Sequence, residues 1–294
     1  MNRVDLHSHS TASDGVSSPV ELVSMAFEKS LSLFSITDHD TFDGIPEGAS
    51  AATKLGMNFL PGIELSVDLE EDGLTAHLLG YFPGIDISDL VNGSTTLGEA
   101  ISFVQGGRSR RNPVILEKLA NSGIFIEMDE VEVIAGGDVV GRPHIAEAML
   151  NAGYISSMRE AFDRFLAKGK PAYVERDRLP VLNAIEIITE SGGLPVMAHP
   201  GYIEMDHETL KNFFRTMKEY GLAGIEIYYP THTSSMVERL KSYALEFQLV
   251  VTGGTDYHGR NNEAAPLGGT ENGFHVDIED VKDFIKLCGY HSRR

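Results

Sequence analysis

Six short apolar runs, Val4 to Leu6, Leu33 to Ile36, Asn58 to Leu60, Leu194 to Ala198, Gly224 to Tyr228 and Leu249 to Gly253, alternate with helical patterns along this chain. That alternation predicts an α/β fold with parallel strands. Helix signals fall between the runs. Ser18-Pro19 opens a stretch reaching Lys29, Ile45 to Leu55 stops at Gly56, and Thr233 to Phe247 precedes the last run. Ile63 to Leu69 and Leu74 to Phe82, joined by Glu-Glu-Asp-Gly, predict a hairpin. From about Ser94 to Ser191 the periodicity is helical and no convincing strand is visible. The expected organisation is a barrel formed by residues 1–93 and 192–294, interrupted by a helical insertion over 94–191.

Charge supports the division. Gly106 to Arg178 carries 11 Lys and Arg against 11 Asp and Glu, so the whole net charge of −19 lies outside it, where 13 basic residues face 32 acidic ones. An acidic chain is a poor match for long duplex nucleic acid, whose affinity comes largely from basic residues. No apolar run approaches the roughly 18 to 20 residues that span a bilayer. The N-terminus enters strand-like sequence at once, so no membrane partner and a cytoplasmic location are expected. The single Cys288 excludes an internal disulfide framework and a multi-thiolate zinc site. Any metal must therefore be held by histidine and carboxylate.

Such residues stand where the apolar runs give way to loops. His7 and His9 follow the first run at i and i+2, a spacing that turns both rings to one face of an extended chain. The second run ends in Thr37-Asp38-His39-Asp40, and the third passes into Pro61-Gly62-Ile63-Glu64. His77 lies on the hairpin return. Later come Ala198-His199-Pro200 and Gly254-Thr255-Asp256-Tyr257-His258. In a parallel barrel these strand ends converge on one rim, the usual place of an active site. His207, His232, His275 and His291 lie elsewhere and read as surface residues. Asp38 and Asp40 flank His39, where they either orient a ligand ring or cap the following turn.

Asp-Leu-His-Ser-His-Ser with Asp14, Thr-Asp-His-Asp, Pro-Gly-Ile-Glu, Ala-His-Pro and Gly-Thr-Asp-Tyr-His together resemble the motifs of the PHP (polymerase and histidinol phosphatase) phosphoesterases. The resemblance implies a distorted (β/α)7 barrel with two or three divalent metals at the strand ends. It implies His7, His9, Glu64 and Asp256 around a first ion and Glu64, His77 and His199 around a second, with Glu64 bridging. Asp14, His39 and His258 would hold a third, Asp14 standing where some relatives have histidine. Nine ligands exceed what one ion takes, and mixed imidazole and carboxylate donors suit Mn, Fe or Zn alike. Paired ions stabilise both the attacking hydroxide and the charge on a phosphoryl group, so phosphoester hydrolysis by a metal-bridging hydroxide is expected. Asp256, His199 and His258 are the catalytic candidates.

Within the insertion, Gly141-Arg142-Pro143-His144 opens a helix and offers a guanidinium and an imidazole to a phosphate. This segment and Lys168-Gly169-Lys170-Pro171-Ala172-Tyr173-Val174 resemble the PHP subgroup acting on nucleotide 3′,5′-bisphosphates, cyclic nucleotide phosphates or short RNA 5′ ends. Arg142, His144, Lys170 and Arg176 are the implied substrate contacts, and AMP or adenosine 3′,5′-bisphosphate the implied ligand class. Arg108, Arg110 and Arg111 either add to that pocket or form a solvated helix face. A histidinol phosphatase is the rival enzyme, and a metal-binding regulatory module without turnover is the rival outside enzymes.

Overall fold

A computed structural model describes residues 2–69, 73–137, 139–259 and 264–290. The chain opens with β1 (Arg3–Asp5) and α1 (Pro19–Glu28), which starts on a reciprocal cap between Ser18 and Glu21. β2 (Leu33–Ile36) and α2 (Ile45–Leu55) follow, the helix stopping at Gly56 with φ 67°. The two runs expected around Pro61-Gly62 are one continuous strand, β3 (Phe59–Asp68). Its first half pairs parallel with β2 and its second half antiparallel with β4 (Thr75–Tyr81). Gly62 is required at the junction, because a Cβ there would lie 2.7 Å from Thr37 Cγ2. The expected hairpin is therefore present, with residues 70–72 of its connection outside the described residues.

The middle is helical: α3 (Ile87–Leu90), α4 (Thr96–Ala120), α5 (Met128–Ala135), α6 (Arg142–Asn151), α7 (Met158–Ala161) and a π turn over Phe162–Leu166. It is not strandless, since β5 (Leu179–Pro180) pairs parallel with the end of β3. Two residues are too short to carry a periodicity signal. This region has an apolar core of its own, which includes Ile115, Leu119, Val131, Ile145, Met149 and Leu166. The first half of α4, through Leu97, Ile101 and Val104, instead packs into the barrel core, as does α8 (Val181–Glu190).

β6 (Leu194–Met197), α9 (His207–Glu219), β7 (Gly224–Tyr228), α10 (Ser234–Phe247) and β8 (Val250–Gly253) continue the alternation, and β9 (Val276–Asp277) and α11 (Lys282–Leu287) close the described chain. The sheet runs β8-β7-β6-β4-β3-β2-β1-β9. β4 is reversed between its neighbours β3 and β6, and β9 runs antiparallel to β1 at the sheet edge. Side chains alternate across it, Leu79 and Tyr81 joining one core and Leu78 and Phe82 another. Beyond the strands the two edges meet: Leu6 N–H donates to Gly253 O at 3.3 Å, Asp256 N–H to His7 O at 2.9 Å and His9 N–H to Tyr257 O at 2.8 Å. The result is a nearly closed seven-stranded barrel, distorted by the reversed β4 and by β9 pairing on β1. No helix among the described residues is long and apolar enough to cross a membrane.

Candidate metal centre

The loops that carry the rim residues are pinned by buried polar groups. Asp5 accepts from Thr255 N–H, Thr255 Oγ1 and Gly268 N–H at 2.9, 2.6 and 2.7 Å, fixing the loop after β8 against β1. Asp38 accepts from Ser10 N–H, Ser10 Oγ and Ser13 Oγ at 2.6 to 2.7 Å and holds the loop after His9. Asp40, His199 and Asp256 have φ of 55°, 24° and 53°, conformations that cost energy outside glycine and persist only when surroundings enforce them. The reversed β4 begins at the rim, so His77, mid-strand in sequence, lies beside Ala198, whose N–H it accepts at 3.1 Å.

Glu64 is the hub. Its Oε1 lies 2.9 Å from His77 Nδ1, 2.9 Å from His199 Nε2 and 3.4 Å from His7 Nε2, and its Oε2 lies 2.9 Å from His39 Nδ1 and 3.2 Å from His9 Nε2. Asp256 Oδ1 sits 3.3 Å from His7 Nε2 and 3.1 Å from His9 Nε2. His258 Nε2 is 3.2 Å from Asp14 Oδ1. Three overlapping groups have ligand geometry: His7, His9, Glu64 and Asp256; His39, Glu64 and His77; and His9, Asp14, His39 and His258. The first matches the expected set. In the second His39, facing Glu64 Oε2, stands where His199 was expected, although His199 Nε2 faces Glu64 Oε1 beside His77, and the third gains His9.

These residues fit divalent ions better than they fit one another. His7 Nε2, both ring nitrogens of His9, His39 Nδ1, Glu64 Oε2 and His77 Nδ1 are buried without a hydrogen-bond partner among the described residues. Their close contacts therefore lack hydrogen-bond angles, as when donors converge on a shared point. Burial disfavours charge on His9, yet Asp256 and Glu64 override it and push the ring up to about 10. Burial likewise works against ionised Glu64, and the rings of His77, His39 and His7 hold it well below the usual carboxylate range. Burial lowers His77 to about 4, leaving it a neutral donor. A cluster that draws protons onto some members and keeps carboxylates ionised is one short of positive charge.

Beside the rim lies a cavity of about 180 Å³ lined by Asp14, His39 and His77 on one side and Arg108, Arg111, Arg142, Arg176 and Arg178 on the other. Asp40 explains two of these arginines: its Oδ2 accepts from Arg108 Nη2 at 2.5 Å and lies 3.4 Å from Arg176 Nη1. Arg178 pairs with Glu175 at 2.5 Å and Asp68 at 3.3 Å. Among the described residues Arg111 and Arg142 have no carboxylate within 4 Å. Arg111 donates to Asn112 Oδ1, and Arg142 donates to Leu166 O at 3.1 Å with its guanidinium 5.6 Å from the Tyr173 ring centre. Burial first, then crowding by Arg108, Arg176, Arg142 and Arg178, pushes Arg111 down to about 8, a condition that an anion relieves.

Two expected substrate contacts lie away from this cavity. His144 is buried and its Nδ1 accepts Gly141 N–H at 3.1 Å, because a side chain three residues into a helix folds back onto the capping amide. Lys170 is exposed in the turn that follows the π segment. Asp38 and Asp40 do not orient His39: the first ties a loop and the second holds arginines. Arg110 is exposed and pairs with Asp177. His232 is half-buried, its Nδ1 donating to Ile227 O and its Nε2 accepting Gly201 N–H, while His291 lies outside the described residues. Unforeseen were Arg178, Tyr229, whose hydroxyl donates to Asp256 Oδ2 at 2.8 Å, and Glu226, fully buried 2.9 Å from His7 Nδ1. A charged residue inside the apolar run Gly-Ile-Glu-Ile-Tyr was the available signal for Glu226.

A barrel whose strand ends present overlapping histidine and carboxylate groups, next to a guanidinium-lined cavity, is the frame of a metal-dependent phosphoesterase. The family model of the PHP domain matches residues 5–175, and the chain belongs to that family. It is 32% identical over 281 residues to a 5′-3′ exoribonuclease of Haemophilus influenzae, covering 95% of this chain and 96% of the relative. It is 29% identical to a 3′,5′-nucleoside bisphosphate phosphatase of Chromobacterium violaceum, covering 92% and 93%. A solved structure from Bifidobacterium adolescentis, assigned to the metal-dependent phosphoesterases, superposes with a TM-score of 0.81 at 28% identity and covers 97% and 96% of the two chains.

Proposed function

We propose that the protein hydrolyses a phosphoester of a small nucleotide or a short RNA 5′ end, with two or three Mn, Fe or Zn ions at the nine rim residues. The observation that carries the substrate class is the pair Arg111 and Arg142, cations without a carboxylate partner among the described residues, in a cavity that also borders His39, His77 and Asp14. Divalent ions at the rim supply a nucleophile from water at neutral pH and offset charge on the phosphoryl oxygens. Glu64, facing five imidazoles, is the residue to be shared between ions. Arg111 and Arg142 take a second phosphate of the substrate through charge-assisted hydrogen bonds, with Arg108 and Arg176 held beside them by Asp40. Asp256, His199 and His258 are proposed to face the reacting group, since their side chains are 19, 11 and 20% exposed while His7 and His9 are fully enclosed.

The relatives' names agree with a two-phosphate site, because a nucleoside bisphosphate and an RNA strand both carry a phosphate besides the one attacked. Histidinol phosphate has no group for the arginine cavity. In a competition assay at equal concentrations, adenosine 3′,5′-bisphosphate is expected to be consumed before AMP, and AMP before histidinol phosphate. Consumption of histidinol phosphate first would refute the nucleotide reading.

A further inference from the structure

Six of the seven barrel strands carry candidate ligands within them or just past their ends: β1 has His7 and His9, β2 His39, β3 Glu64, β4 His77, β6 His199 and β8 Asp256 and His258. β7 ends in none, yet its side chains touch residues from three of the others. Glu226, in the middle of β7, is fully buried. Its Oε1 is 2.9 Å from His7 Nδ1 and its Oε2 accepts His199 N–H at 2.8 Å. Tyr229, one residue past the strand, donates to Asp256 Oδ2 at 2.8 Å. We infer that β7 is the positioning strand of the metal centre, with Glu226 fixing the ring of His7 and the backbone of His199, and Tyr229 fixing the Asp256 carboxylate.

The chemistry at each contact is specific. A carboxylate can only accept, so Glu226 selects the His7 tautomer with its proton on Nδ1 and leaves the Nε2 lone pair turned toward Glu64 and Asp256. Its other oxygen holds an N–H whose residue sits at φ 24°, a conformation that needs an enforcing partner. A glutamine of the same shape cannot serve both groups. Its NH2 must face either His7 Nδ1, forcing the proton onto Nε2 where a metal needs the lone pair, or the His199 N–H, where two donors meet. Tyr229 occupies Asp256 Oδ2 and so leaves Oδ1 as the oxygen facing His7 and His9.

This inference rests on the reading of the rim residues as metal ligands, and the test separates the two. Wild type, Glu226→Gln and Tyr229→Phe are stripped with chelator, dialysed and titrated with Mn²⁺ against a chromophoric competitor. In Glu226→Gln the equivalent bound by the group containing His7 should weaken by about 10 to 100-fold, the usual cost of losing a partner behind a ligating histidine. The equivalent of the Asp14, His39 and His258 group should keep its affinity. Wild-type affinity at every equivalent overturns the inference, as does uniform weakening of all of them, which marks a purely structural role. If Glu226→Gln does not fold, Tyr229→Phe decides: it should weaken the same equivalent by several-fold, and unchanged binding overturns the assignment of β7. Wild type that takes up no Mn²⁺, Zn²⁺ or Fe²⁺ instead refutes the metal-ligand reading, and the inference with it.

Discussion

Replacing Arg111 with methionine should make the protein more stable and the enzyme worse. Arg111 is 5% exposed, and among the described residues its guanidinium donates to the side-chain oxygen of its neighbour Asn112, at 3.1 and 2.8 Å. In the free protein this is a buried cation surrounded by four others, and replacing such charge with an apolar side chain of similar length commonly stabilises by about 1–4 kcal/mol. Asn112 keeps its bond to Val140 O but loses a donor, which costs roughly 1 kcal/mol. A net gain of about 0–3 kcal/mol remains, or a Tm rise of up to about 6 °C at roughly 2 °C per kcal/mol for a chain of this size. With substrate bound the sign reverses. A hydrogen bond to a charged group contributes about 1.5–3 kcal/mol, so kcat/KM for adenosine 3′,5′-bisphosphate should fall roughly 10 to 150-fold. Thermal scans with and without inorganic phosphate, together with steady-state kinetics, test both halves. Phosphate should raise the Tm of wild type more than that of the variant. A lowered Tm in the variant with unchanged kcat/KM would show that Arg111 is structural and that the cavity has no need of an anion.

As isolated, the protein should contain two or three equivalents of Mn, Fe or Zn by elemental analysis, and chelation should abolish phosphate release; less than one equivalent contradicts the ligand groups. Glu64→Gln should lose more metal than Asp14→Asn, because Glu64 belongs to two of the three groups and Asp14 to one. Asp40→Asn leaves Arg108 and Arg176 without their counter-charge and should destabilise by about 3–5 kcal/mol at neutral pH. Burial opposes ionised Asp40, but Arg108 and Arg176 hold it well below its ordinary value of 3.8. Its contribution is therefore complete above about pH 4 and lost only as pH falls through the strongly acidic folded-state range, where denaturation curves of variant and wild type should converge. Added salt should raise KM for the bisphosphate more than for AMP if the second phosphate pairs at the partly open mouth of the cavity.

Most of the rim was legible because candidate ligands follow apolar runs directly, so strand and candidate ligand are encoded within a few positions of each other. His77 was legible only by resemblance, since its place at the rim depends on the reversal of β4 between two distant strands. The fusion of two runs into β3 escaped periodicity because Pro61-Gly62 reads as a break, whereas pairing with β2 and then β4 carries the strand through. The arginines show the same limit. Nothing in Arg108 to Arg111 distinguishes the one that meets Asp40 from the one that meets no carboxylate, because the partner lies far away in sequence. His144 shows the opposite case: its Nδ1 accepts the N–H of its own helix cap, a local bond that turns the ring toward the helix start.

The closure of the barrel gives this site an unusual dependence on the order in which the chain is made. His7 accepts from Asp256 N–H and His9 donates to Tyr257 O, so the first proposed metal group unites residues nearly 250 positions apart. A loop of some 250 residues must close before His7 and Asp256 can face one ion, and such a contact forms late. During synthesis the histidines of β1 emerge early and wait, unable to complete a site with anything nearby. An ion held, as proposed, by His7, His9, Glu64 and Asp256 would tie β1 to the loop after β8 and slow their separation. Loss of the ion should therefore show as fraying of the seam between β1 and β8, visible as faster amide exchange at Leu6, His9 and Asp256, before any helix of the insertion unfolds.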